Sequence, residues 1–160
     1  MPYQVAVCGP QDCTEREAAD AFRVGQLLAE RGAVVLCGGG TGVMAAVARG
    51  ARSRGGIVIG IRPDDDRAGA SSDLSAVVLT NLGEARNAVL VWSADAVISI
   101  GGSWGTLSEI ALAKRRGGIP VVCLGGWRLI DAEGNAVEGI DHTSTAEEAV
   151  RRAMGVGTDM

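Results

Sequence analysis

The chain has few aromatic residues, one histidine, one lysine and no long apolar run. A segment that spans a bilayer needs about 20 predominantly apolar residues, and no stretch of this sequence approaches that length. The start of the sequence shows neither a basic flank nor a small-residue cleavage site, so no secretory signal is expected. We therefore expect no membrane role and a cytoplasmic location.

Clustered positive charge is also missing. Lys and Arg number 15 against 19 Asp and Glu, which gives a net charge of -4, and the basic residues are scattered along the chain. A nucleic-acid surface needs a clustered basic face. Small molecules are therefore the expected partners, and nucleic acid is not.

The four cysteines form no C-x-x-C pair. Cys8, Cys37 and Cys123 each end an apolar run, which favours buried, reduced thiols that serve as small hydrophobic residues. A metal site or a redox pair is the alternative. The acidic run 64–66 is typical of a solvated loop, with Mg²⁺ binding as its alternative. We expect no metal.

Two common nucleotide-binding fingerprints are absent as well. No G-x-G-x-x-G follows the first apolar run, and the second run ends in Leu36-Cys37 rather than in an acidic residue, which disfavours NAD and FAD. No Gly-Lys-Ser/Thr follows any apolar run, so a P-loop is excluded. No cofactor is expected to be required.

The sequence does contain a regular alternation of short β-branched runs and helical patterns. This alternation predicts an α/β, Rossmann-like three-layer fold, with a six- or seven-stranded, mostly parallel sheet and helices on both faces. A single domain is expected over residues 1–160. Strands are predicted near 3–8, 33–37, 57–61, 76–80, 95–100 and 119–124. Helices are predicted near 15–31, 42–54, 82–93, 106–116 and 145–154.

Two further segments are rich in turn residues. Segment 63–72 is polar and predicts a mobile surface loop beside the strand ends. Segment 125–141 predicts a small hairpin. The single histidine, His142, is placed in the turn before the last helix and is expected at the surface rather than in catalysis.

Glycine-rich turns follow three of the predicted strands, at Gly9, at Gly38–Gly42 and at Gly101–Gly105. Parallel strands place these turns at one carboxyl edge of the sheet, where open α/β folds bind ligands. Glycines let a ligand approach the backbone, and the free N–H groups of a helix start attract an anion. Each turn alone has a steric explanation, but three together predict a phosphate site. The candidate contacts are Gly9, Gly39, Gly40, Thr41, Gly42, Gly101, Gly102, Ser103, Trp104, Gly105 and Thr106.

Glu109 lies one turn into the helix predicted after the last glycine turn, where its carboxylate would face the molecule that carries the anion. The spacing Thr106-x-x-Glu109 is also that of a capping box, which is a purely structural role. The same spacing recurs at Thr14, Asn81 and Thr145, so spacing alone does not make Glu109 catalytic. The glycine turn directly before it favours a functional role.

Arg86 is the second candidate for chemistry. It lies beside the apolar stripe of the predicted helix 82–93, and a half-buried guanidinium needs an anionic partner, either Glu109 or a ligand phosphate. An ordinary ion pair or simple exposure to solvent is the alternative. The stripe, with Trp92 on its buried side, also fits a homo-oligomer, either a dimer or a larger assembly. Its positions are Leu82, Ala85, Val89 and Trp92.

The segments 38–44, 84–87, 93–98 and 105–109 resemble the LOG ("lonely guy") superfamily in order and spacing, over roughly residues 3–124. The resemblance implies a Rossmann-like fold, a dimer, and hydrolysis of the N-glycosidic bond of nucleoside 5'-monophosphates such as AMP or a cytokinin ribotide. The catalytic arginine and glutamate of that family fall on Arg86 and Glu109. A carboxylate suits this chemistry because it stabilises an oxocarbenium-like transition state.

Three positions depart from the LOG signature P-G-G-x-G-T-x-x-E and its preceding Arg-Lys pair. Gly101 stands in place of the proline, Ser103 in place of the second glycine, and Asn87 in place of the lysine. In these departures the chain is similar to a side branch, the molybdenum cofactor carrier proteins, which bind a phosphorylated pterin without turning it over. Two functions stay open: a phosphoribohydrolase acting on a nucleoside monophosphate, and a non-enzymatic carrier of the molybdenum cofactor.

Overall fold

A seven-stranded sheet forms the centre of residues 1–155, which are the residues that the computed structural model describes. The strands are β1 Gln4–Cys8, β2 Val34–Cys37, β3 Val58–Arg62, β4 Ala76–Leu79, β5 Ala96–Ile100, β6 Val121–Leu124 and β7 Asp141–Thr143. The helices are α1 Glu15–Glu30, α2 Val43–Ser53, α3 Arg86–Trp92, α4 Trp104–Arg116 and α5 Ala146–Ala153. The strand order is β4-β3-β2-β1-β5-β6-β7, and every neighbouring pair is parallel.

The middle strands are almost entirely apolar, with Ser99 of β5 as a buried polar residue, because helices cover both faces of the sheet. β2, β5 and β6 are buried over their whole length. α1, α2 and α5 pack on one face, and α3 and α4 pack on the other. This arrangement confirms the predicted Rossmann-like three-layer fold, with a fully parallel sheet.

The helix predicted over 82–93 is divided in two. A 3₁₀ turn at Gly83–Ala85 leads into α3, which begins only at Arg86. A 3₁₀ turn contains three residues instead of 3.6, so it changes the phase of the helical face that follows.

The predicted buried stripe on this segment is therefore wrong. The buried positions of α3 are Asn87, Leu90 and Val91. Trp92 is 65% exposed, and its ring lies 5.1 Å from the guanidinium carbon of Arg116. The expected homo-oligomer stays a prediction, since Leu82 and Trp92 are both exposed on the single chain.

Helix starts follow the predicted capping boxes only in part. Thr14 forms the complete box, in which its hydroxyl and its N–H both bond to the residue three positions on. Thr145 caps α5 with its hydroxyl. Asn81 has a left-handed φ of 51° and is not the N-cap of the turn that follows. α4 begins two residues earlier than predicted, because Ser103 rather than Thr106 is its N-cap.

Segment 125–141 forms the predicted hairpin, with an antiparallel bridge between Ile130 and Ala136. The Lys114 ammonium donates to the Gly139 carbonyl over 3.1 Å and ties the end of this segment to α4. His142, expected in a turn, lies in the edge strand β7. The three residues of β7, Asp-His-Thr, have no apolar pattern that would predict a strand.

The remaining structural expectations concern the cysteines, the polar segment 63–72, membrane-spanning helices and metal ligands. Cys8, Cys37 and Cys123 are buried free thiols, as predicted. Segment 63–72 lies largely at the surface, where Asp64 pairs with Arg62 over 2.7 Å. Within residues 1–155, no helix is long and apolar enough to cross a membrane, and no three potential metal ligands form a group.

α1 and α2 approach each other backbone to backbone at two glycines. A Cβ added to Gly25 would overlap the carbonyl oxygen of Val47, and a Cβ added to Gly50 would overlap that of Phe22. The missing side chains therefore set the distance between the two helices, and with it the position of the turn that leads into α2.

We expect the Gly50→Ala variant to lose about 1–3 kcal/mol of unfolding free energy, the usual cost of overpacking. Intrinsic helix propensity alone would make alanine about 1 kcal/mol better than glycine. Gly105→Ala is the matched control, because the nearest atom to its added Cβ is the Ser103 Oγ at 3.9 Å. Urea unfolding of both variants measures the difference, and equal stability would contradict the proposed contact.

Candidate functional site

A cleft of about 820 Å³ opens at the carboxyl edge of the sheet, near the ends of β1, β2 and β5. Its volume is within the range of small-molecule sites, and its position is where open α/β sheets bind ligands. The residues with polar groups or glycine backbone in its wall are Cys8, Gly9, Gln11, Asp12, Gly38, Asp64, Gly83, Glu84, Arg86, Asn87, Gly102, Ser103, Trp104, Gly105, Thr106, Ser108 and Glu109.

The cleft brings together most of the residues predicted from the sequence. Both candidate catalytic residues line it, as do Gly9 and the segment 102–106. The second glycine turn contributes Gly38 to this wall, whereas the candidate contacts Gly39, Gly40, Thr41 and Gly42 do not line the cleft. Gly101 also lies outside the cleft wall.

The start of α4 forms one wall of the cleft. The Ser103 hydroxyl accepts from the Thr106 N–H at 3.2 Å and lies 2.9 Å from the Thr106 hydroxyl, which turns the buried threonine toward the cap. The first intrahelical bond runs from the Leu107 N–H to the Ser103 carbonyl. The N–H groups of Trp104 and Gly105 precede that bond, at the positive end of the helix dipole. This helix start can hold an anion.

Gly101 explains the loss of the LOG proline. Its φ is +70°, a left-handed value that proline cannot adopt because its ring holds φ near −65°. A Cβ at this position would also overlap the carboxylate of Glu17. The turn before α4 thus has its own backbone conformation.

Arg86 is half-buried and donates mainly to backbone carbonyls. Its Nη1 bonds to the Gly38 carbonyl at 3.0 Å and to the Ile61 carbonyl at 2.6 Å. Its Nε donates to the Asn87 side chain at 2.9 Å. The guanidinium therefore joins the ends of β2 and β3 to the start of α3, and these donors are not directed at Glu109.

Asn87 continues this network toward α4. Its amide accepts from Arg86 and donates to the Ser108 hydroxyl at 3.2 Å, and that hydroxyl donates to the Gly105 carbonyl at 2.7 Å. A lysine ammonium can only donate, so it cannot make the first of these bonds. Asn87, which replaces the lysine of the LOG pattern, therefore connects the start of α3 to the start of α4.

Glu109 reaches the floor of the cleft beside Cys8. Burial raises the pKa of the Glu109 carboxyl, and the nearby Cys8 thiol and Arg86 guanidinium partly oppose that rise. Burial and the Glu109 carboxylate raise the pKa of Cys8 well above its usual value, and burial raises the pKa of Cys37 to about 11. Both thiols are protonated at neutral pH, so neither is a ready nucleophile.

The charged residues of the wall are mainly acidic. Four carboxylates, from Asp12, Asp64, Glu84 and Glu109, accompany the single guanidinium of Arg86. An anionic ligand is therefore attracted chiefly by backbone N–H groups rather than by side-chain charge.

From the sequence, Asn87 was noted only as a departure from the LOG signature, and Ser108 and Trp127 received no role in this region. Trp127 packs its ring against Gly102 and meets the Trp104 ring edge to face. The segment that carries Trp127 has no motif of its own. Trp104 in the glycine turn was the one sequence signal for this contact, because an indole in such a turn is exposed unless another group packs against it.

Comparisons with known proteins place this geometry in a family. The sequence model of the SLOG cluster4 family matches residues 2–154. The chain belongs to this family. An uncharacterized protein of Archaeoglobus fulgidus is 41% identical over 140 residues, which is 84% of this chain and 91% of that protein. The resemblance to the LOG-like superfamily is thereby confirmed.

Two solved structures of similar proteins concern the molybdenum cofactor. The molybdenum cofactor binding protein of Rippkaea orientalis is 32% identical, with 98% of both chains covered and a TM-score of 0.86. The molybdenum cofactor carrier protein of Chlamydomonas reinhardtii is 26% identical, with 97% of this chain and 99% of that chain covered and a TM-score of 0.81. Both confirm that this family member resembles the cofactor carriers in fold.

Replacing Glu109 by glutamine is expected to stabilise the protein at pH 8. A carboxyl whose pKa is raised on folding favours the folded state below its unfolded pKa and loses that contribution as the pH rises through the folded pKa. The advantage of Glu109→Gln should therefore shrink toward pH 4, where the carboxyl is protonated. Thermal unfolding across this range measures it.

Glu138→Gln is the control, because Glu138 is exposed on the hairpin. It removes the same charge at a solvated position and should leave the melting temperature nearly unchanged. A Glu109→Gln variant that is less stable than the wild type at pH 8 would contradict the raised pKa of the Glu109 carboxyl.

Proposed function

We propose that the protein binds the molybdenum cofactor, a phosphorylated pterin, in this cleft and releases it unchanged. The observation that carries the proposal is the open start of α4, which lies in an 820 Å³ cleft of a fold shared with cofactor-binding proteins. The phosphate would bind the N–H groups of Trp104 and Gly105, and the cleft would hold the pterin. Arg86 and Asn87 would shape the site.

Hydrogen bonding at Arg86 favours binding over turnover. Two carbonyls and the Asn87 amide already accept from its Nη1 and Nε, so these donors can grip a substrate or orient Glu109 only if those bonds break. Serving as a positioning residue requires no such change. The guanidinium instead holds Gly38 and α3 at the distance that leaves the cleft open.

Gly105→Asp is expected to weaken cofactor binding strongly while the fold persists. An added side chain at Gly105 meets open space, and a carboxylate in the first turn of a helix interacts favourably with the dipole. The same charge repels a phosphate from the helix start. Protein purified from a host that makes the cofactor should contain molybdenum and pterin in equal amounts, and the variant should bind at least about tenfold more weakly.

Gly105→Asn is the matched control, with the same shape and no charge. It should keep most of the bound cofactor, measured as metal by mass spectrometry and as the fluorescent oxidised pterin. Wild-type protein that carries neither molybdenum nor pterin, under conditions in which the host makes both, would overturn the proposal.

Hydrolysis of a nucleoside 5'-monophosphate is the second candidate. The position of Glu109 favours it, because a carboxyl with a raised pKa at the floor of a cleft is suited to general acid–base chemistry. Incubation with AMP and with a cytokinin ribotide, followed by chromatography of the free base, separates the candidates. Binding without turnover predicts no free base. Release of base that Glu109→Gln abolishes would establish the hydrolase instead.

A further inference from the structure

Two of the three tryptophans meet at one rim of the cleft, in a chain with 3% aromatic residues. The rings of Trp104 and Trp127 lie with their centroids 5.0 Å apart and their planes at 74°. Trp104 lines the cleft and is 79% exposed, whereas Trp127 is 43% exposed. The edge-to-face contact uses part of one ring and leaves most of the Trp104 surface uncovered.

Glycines hold the two tryptophans in place. A Cβ added to Gly102 would lie 2.7 Å from Cδ1 of the Trp127 ring, and one added to Gly126 would overlap the Gly101 carbonyl. The turn before α4 and the start of the hairpin segment are therefore in backbone contact. Because of this contact, the place of Trp127 is determined by the same turn that carries the anion-binding start of α4.

Trp104 combines two binding elements in one residue. It is the first residue of α4, so its N–H lies at the start of the helix, and the residue lines the cleft with most of its surface exposed. An indole left in water is costly, and stacking with a planar ring covers it. A ligand that carries a phosphate close to a flat heterocycle satisfies both elements.

We propose that Trp104 is the stacking platform for a planar bicyclic heterocycle whose phosphate binds at the start of α4, and that Trp127 is a positioning residue that orients the Trp104 ring. The proposal rests on the proposed function, since it names the residue that distinguishes a pterin or purine phosphate from a phosphate without an aromatic heterocycle. Its consequence is selectivity: the cleft binds phosphates that carry an aromatic heterocycle more tightly than phosphates of the same charge that lack one.

Binding of GMP and of ribose 5-phosphate tests this selectivity. Guanine shares the aminopyrimidinone ring of a pterin, and ribose 5-phosphate keeps the phosphate without any base. The titrations use the Trp92→Phe background, in which Trp104 and Trp127 are the remaining tryptophans, so quenching of indole fluorescence reports the cleft. Calorimetry on the same samples gives the affinities.

Wild-type affinity should be higher for GMP than for ribose 5-phosphate. Trp104→Ala should weaken GMP binding at least about tenfold, which corresponds to about 1.4 kcal/mol, and leave ribose 5-phosphate unchanged. Trp104→Phe should retain most of the GMP affinity. Trp127→Ala should reduce the preference for GMP over ribose 5-phosphate and leave the melting temperature nearly unchanged. Trp127→Phe should restore that preference.

An equal loss for both ligands, or no loss for either, would overturn the role of Trp104. A change in oligomeric state of Trp104→Ala with unaltered GMP affinity would overturn it as well, since the ring would then belong to a contact between copies. If the wild type and Trp104→Ala bind the cofactor equally well, the stacking role of Trp104 is refuted and the proposed function is not. If the wild type prefers GMP but binds no cofactor, the proposed function alone is refuted. If the wild type binds neither the cofactor nor GMP, both proposals are refuted.

Discussion

The parallel pairing of β1 with β2 on one side and β5 on the other is the constraint on which the site depends. Strands that run in one direction end at one edge, so the turns after all three strands are neighbours in space although they are far apart in sequence. From β1 the strand order continues through β2, β3 and β4 to one side of the sheet, and through β5, β6 and β7 to the other. Such a change of direction in the strand order opens a crevice between the turns that follow β1 and β5. Arg86 then joins the turn after β2 to α3, and the cleft acquires its wall.

The parts of this arrangement that the sequence predicts are those that follow from periodicity and from the direction of strands. The alternation of apolar runs and helices implied the sheet, and the glycine turns marked its functional edge. The face of α3 was not predictable because the 3₁₀ turn before it changes the phase, and because the guanidinium of Arg116 covers part of Trp92 at the surface. The start of α4 was misplaced because Ser103 and Thr106 are both good N-cap residues.

The departures from the LOG signature are connected to one another at the start of α4. Gly101 has a left-handed φ and redirects the chain, and Ser103 then has the extended conformation of an N-cap. Asn87 donates to the Ser108 hydroxyl in the first turns of α4. The three substitutions act as one unit, which changes how the helix start is held and keeps its N–H groups available. Because the cleft wall carries four carboxylates and one guanidinium, the helix start adds positive potential where the side-chain charge is mainly negative.

The bond between Lys114 and the Gly139 carbonyl involves the single lysine of the chain. Reagents that acylate or alkylate side-chain amines consequently have one lysine to modify in the entire protein. Acetylation removes the charge and leaves one amide N–H, so it weakens the tie between α4 and the end of the hairpin segment. Apart from the α-amine of Met1, amine-directed labelling therefore reaches one side chain of this sequence, and it acts there at a single contact of the fold.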